Sequence, residues 1–150
     1  MDVVQNSAPR LAPRRAGLRV GIALAAACAA LALTGCTAPG TDYAVLDGDA
    51  QARDEVPESL PAYAWETADP ATARFVGEHD RASLWLMRAS DEDAVCLLAY
   101  GDASSWIIGC GGSQFGVGGG PGSFTVVPDG APHPDGMTQL SDNVFTSAAE

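Results

Sequence analysis

A chain of 150 residues has room for one domain, and its charge is unevenly spread. Four arginines and one acid precede Cys36, a net of +3, whereas four arginines and eighteen acids follow it, a net of −14. A surface of that sign is repelled by phosphate backbones and anionic head groups, which argues against nucleic acid and against direct docking on lipid and leaves neutral, cationic or metallic partners.

The first nineteen residues are polar and carry Arg10, Arg14, Arg15 and Arg19, with Pro9 and Pro13 opposing helix. Positive charge there orients the following segment across a bilayer. Residues 20–33 form an apolar run of fourteen. As a helix the run would be roughly 21 Å long, short of the roughly 30 Å of a hydrocarbon core, so a cleaved signal peptide fits better than a permanent span.

The run ends on Leu33-Thr34-Gly35-Cys36, which resembles the bacterial lipobox. That resemblance implies a diacylglyceryl group on the Cys36 thiol and cleavage between Gly35 and Cys36, with Cys28 discarded in the leader. Each buried acyl CH₂ contributes about 0.8 kcal/mol, and two chains together make release slow. The expectation is a lipid-anchored protein on the extracytoplasmic face of the cell membrane. Arg14-Arg15 raises twin-arginine export as an alternative to the general secretory route, although Ala16-Gly17-Leu18 lack the bulky apolar pair usual there.

Residues 36–61 contain Pro39, Gly40, Gly48, Pro57 and Pro61 among acids, without a period of 2 or 3.6. They read as a disordered, self-repelling linker that lifts the domain from the membrane. Asp47, Asp49 and Glu58 fall on positions 1, 3 and 12 of a calcium-loop template, but Ala52 occupies the glycine position, and a solvated linker is the better account. Tyr63 and Trp65 are large enough to pack on the domain that follows, which places it at 62–150.

Asp69-Pro70 reads as an N-cap with proline at the first helical position, for about one turn. Apolar runs separated by turn residues then follow at 74–78, 83–88, 94–100, 106–110, 123–127 and 143–146. This spacing predicts an all-β domain, a small antiparallel meander or barrel of five to six strands. If Cys96 faces Cys110 across a hairpin, the same register sets Leu98 against Ile108 and Tyr100 against Trp106. Directly opposed Cα atoms lie within disulfide range, and an exported chain meets oxidising conditions, so a Cys96–Cys110 bridge is expected.

Residues 109–122 are dense in glycine but lack the Gly-Lys-Ser/Thr ending of a phosphate loop, and they read as a flexible connector. His79 lies beside Asp80 in a turn and His133 lies between Pro132 and Pro134; there is no Gly-x-Ser-x-Gly elbow for a serine nucleophile. Asp91-Glu92-Asp93 reads as a solvated turn cap. No cofactor or metal site and no catalytic residue is assigned. A non-enzymatic module that binds an envelope protein or ligand is the favoured reading, and a cell-envelope hydrolase built around His79-Asp80 is the alternative.

The segments Arg-Phe-Val-Gly-Glu-His-Asp (74–80), Val-Cys-Leu-Leu (95–98), Trp-Ile-Ile-Gly-Cys-Gly-Gly (106–112), Val-Val-Pro-Asp-Gly (126–130) and Leu-Ser-Asp-Asn-Val (140–144) together resemble small lipoproteins of high-GC actinobacteria. The resemblance implies a shared β-domain and a membrane address, and it carries no activity. A longer glycine loop sets this chain apart.

Overall fold

The computed structural model describes residues 41–147. The basic n-region, the apolar run, Cys28 and the Gly35-Cys36 boundary lie outside the described residues. Eight strands follow four short 3₁₀ turns: β1 Arg74–His79, β2 Ala82–Arg88, β3 Val95–Asp102, β4 Ser105–Gly111, β5 Phe115–Gly119, β6 Gly122–Val126, β7 Met137–Gln139 and β8 Val144–Ser147. They form two antiparallel four-stranded sheets, ordered β1-β2-β3-β4 and β5-β6-β8-β7. The all-β expectation holds, but two sheets of four strands replace the single meander or barrel of five to six.

The first sheet is apolar on both faces, which explains the unbroken Val95-Cys96-Leu97-Leu98-Ala99 run of β3. Val95, Leu97 and Ala99 point to the second sheet and pack in one core with Leu84, Leu86, Val117, Phe124, Val126 and Val144. Cys96 and Leu98 point the other way and share a second cluster with Trp85, Met87, Leu60, Ala64, Ala68 and Ala73. That outer cluster is roofed by the chain between residues 60 and 73.

The linker expectation is therefore corrected from residue 41 onward. Tyr43 and Leu46 are buried in the core between the sheets, and Leu60 lies in the outer cluster. The Asp54 carboxylate, itself buried, accepts from the amides of Gln51 and Phe75, both at 2.8 Å, and stands 3.9 Å from the Arg74 guanidinium. Asp47 takes a 2.6 Å hydrogen bond from Arg88, so the acid that opened the calcium template pairs with a cation of β2. The Asp69 side chain caps the Ala71 amide at 3.0 Å, as the Asp-Pro pair predicted.

Asp80 and Arg81 join β1 to β2 with φ of 46° and 71°, the mirror-image turn whose twist matches a two-residue hairpin. In β1 the register slips at Val76, and Gly77 takes a φ of 142° at that bulge.

The glycine-rich stretch is not simply a connector, because it contains β5. Ile107, Gly109 and Gly111 of β4 face Gly119, Val117 and Phe115 of β5 across the gap between the sheets. A Cβ on Gly109 would lie 2.7 Å from Val117, one on Gly111 would lie 2.6 Å from Phe115, and one on Gly119 would lie 3.0 Å from Ile107. At each level one residue supplies volume and its opposite supplies space.

Candidate functional site at the hairpin tips

Three hairpins turn at one end of the sandwich, at Asp80–Arg81, around Ala103-Ser104 and at Gly120-Pro121. Between them lies an open cavity of about 530 Å³ lined by Asp80, Arg81, Gly101, Asp102, Ser105 and Gly122. The Asp102 carboxylate accepts from the Ser104 hydroxyl at 2.6 Å and from the Ser104 amide at 2.7 Å. These bonds, hydroxyl first, hold its carboxyl below the usual carboxylate range, so it stays ionised at neutral pH. One cation, Arg81, and two anions, Asp80 and Asp102, thus sit on hairpin ends, a placement common for binding loops carried on a sandwich.

His79 stands beside this cavity. Its Nε2 is 3.2 Å from the Asp80 carboxylate, and its ring meets the Phe124 ring edge-on at 6.1 Å. His133 packs on Phe145, ring centroids 5.0 Å apart. Among the described residues neither imidazole has a hydroxyl or thiol hydrogen-bonded to it, and no three His, Cys, Asp or Glu side chains converge as a metal site would require. The geometry provides fixed charges around a concavity.

The opposite end receives the chain. A cavity of about 340 Å³ there is lined by Thr41, Asp42, Asp47, Arg88, Glu92, Asp93 and Asp129 among others. Entry is pinned by the Asp129 amide donating to the Asp42 carbonyl at 2.9 Å and by the Ala44 amide donating to the Asp129 carboxylate at 2.6 Å. Asn143, itself buried, donates to the same carboxylate at 2.8 Å and to the Val127 carbonyl at 3.1 Å. The Tyr43 hydroxyl donates to the Ser113 carbonyl at 3.1 Å, and burial together with the Asp129 charge pushes its pKa up to about 12. From Val95 to Tyr100, five strand steps separate the entry end from the tips, about 17 Å.

The Cys96–Cys110 pair lies on the outer face of the first sheet. Its Cα atoms are 4.0 Å apart and its sulfurs at bonding distance, in the register expected from Leu98 opposite Ile108 and Tyr100 opposite Trp106. Beyond Tyr100 and Trp106 the two strands run on, through a register shift, to Asp102 opposite Ser105. Trp65 is half-buried against this face, whereas Tyr63 is 64% exposed and leans on Trp106, centroids 6.0 Å apart. The tip cavity went unrecognised in the sequence, although Asp102-Ala-Ser104 is a short-range signal for a carboxylate that bonds its own turn.

Comparison of the chain with protein families, with curated proteins and with solved structures gives no match.

Proposed function

We propose that the protein is a lipid-anchored, non-enzymatic binding module of the cell envelope, held by acyl chains on Cys36 and offering its hairpin-tip end to a partner. The resemblance of Leu33-Thr34-Gly35-Cys36 to a lipobox and of the domain to small actinobacterial lipoproteins supports the address. The observation that carries the presentation is that the chain enters the sandwich at the end opposite the tips. Seven steps separate Cys36 from Tyr43, the first core residue among those described, so the tether spans at most about 25 Å. A short tether brings the entry end near the lipid and turns the tip cavity toward the envelope. The acidic surface keeps the domain from lying flat on anionic head groups.

Two photo-crosslinking substitutions test this in intact membranes, one at Asp47 near the entry and one at Ser104 on the β3–β4 tip. Lipid adducts at position 47 and protein or glycan adducts at position 104 are expected. Lipid adducts at position 104 would overturn the presentation, and release of the unsubstituted chain from membranes by high salt would overturn the anchor.

A further inference from the structure

We propose that Cys110 is a thiol-exchange site, at which an extracytoplasmic thiol opens the Cys96–Cys110 bridge from one side only. The two sulfurs have unequal surroundings. Cys96 is fully buried, whereas Cys110 is exposed on β4, the edge strand of its sheet. Thiol–disulfide exchange requires the attacking sulfur to approach along the axis of the bond it breaks, on the side away from the leaving sulfur. For attack on Cys110 that line comes in past the free edge of β4. For attack on Cys96 it comes from β2, where Met87 is directly paired with Cys96, points to the same face and is fully buried.

The protonated product thiol, not the departing thiolate, is provided with a partner. The Thr67 carbonyl lies 3.5 Å from the Cys96 sulfur, and the Thr67 hydroxyl lies 3.7 Å from that of Cys110. The incoming thiolate forms a new S–S bond to Cys110 as the Cys96–Cys110 bond breaks, and the electron pair leaves on Cys96. Cys96 then takes a proton from water, and its S–H donates to the Thr67 carbonyl, so the buried thiol has an acceptor waiting. The product is a mixed disulfide at the surface over a neutral buried thiol, with no net oxidation. A second thiolate completes reduction by attacking the mixed disulfide, and the co-reactant throughout is a thiol.

The probe is 2-mercaptoethanol, a small thiol that carries no charge apart from that of its reacting thiolate. The oxidised full chain is exposed to it briefly, quenched in acid, alkylated at free thiols and mapped as peptides without reduction. The expected intermediate carries mercaptoethanol on Cys110 and the alkyl group on Cys96, at ~10-fold or greater excess over the reverse arrangement, reflecting access to one sulfur. In folded Met87→Ala the share of adduct on Cys96 should rise several-fold. Equal labelling of the two cysteines in the unsubstituted chain, adduct mainly on Cys96, or no adduct short of denaturation would each overturn the proposal.

Discussion

Strand β4 has two neighbours, and they are joined to it by opposite means. Against β3 it shares a hydrogen-bonded ladder in which large groups meet their like: cysteine with cysteine, Leu98 with Ile108, Tyr100 with Trp106. Against β5 it shares no ladder; the strands stack face to face, and each large side chain meets a glycine. The first contact is held by mutual apolar area and a covalent bond. The second is held by fit, because an interior packed at crystal-like density has no spare volume for an added methyl group. A hydrophobic pattern therefore reports the β3 side of β4 and is nearly silent about the β5 side.

The difference can be tested by substitution, starting where the loss is greatest. Leu97→Ala removes a fully buried side chain between the sheets and should cost roughly 2–5 kcal/mol in urea unfolding. Replacing both Cys96 and Cys110 by alanine should cost roughly 3 kcal/mol, the loop-closure contribution expected at this separation, while the register survives. Gly111→Ala should cost roughly 1–3 kcal/mol because its methyl group runs into Phe115, and a cost below the error of the measurement would contradict the fitted contact. Exchanging the partners, Gly109→Val with Val117→Gly, should be less destabilising than the sum of the two single changes; additivity would show that the pair does not touch.

The smallest effect belongs to Tyr43, where the entering chain closes the sandwich. Tyr43→Phe should cost about 1 kcal/mol at neutral pH through the bond to Ser113. Because the folded pKa of Tyr43 is raised from 10.0 to about 12, the folded state holds its proton more tightly than the unfolded chain. The corresponding stability is fully present below pH 10 and is lost as pH rises toward 12. A melting-temperature series over that range should fall more steeply for the natural chain than for Tyr43→Phe, and parallel curves would contradict the raised pKa.

Much of the first sheet was legible in the chain. The runs that became β1 to β4 alternate or sit continuously apolar, and one register aligned the cysteines, aliphatics and aromatics together. The second sheet was half legible. β6 and β8 carry Phe124, Val126, Val144 and Phe145, but β5 keeps only Phe115 and Val117 among glycines, and β7 is three exposed residues, Met137 to Gln139. The segment before residue 62 misled for another reason. Its acids and prolines have the composition of a tether, and short 3₁₀ turns impose no long period, so Tyr43, Leu46 and Leu60 bury themselves at intervals that neither helix nor strand templates detect. The tip cavity depends on which turns meet in space, and turn chemistry fixes each bend without saying what lies beside it.

The proposed membrane attachment through Cys36 is tested most directly by intact-mass analysis of the protein purified from membranes. The expected product is a mature chain that begins at Cys36 and carries a diacylglyceryl group on that residue. A chain that begins elsewhere, or one whose Cys36 is unmodified, would contradict it.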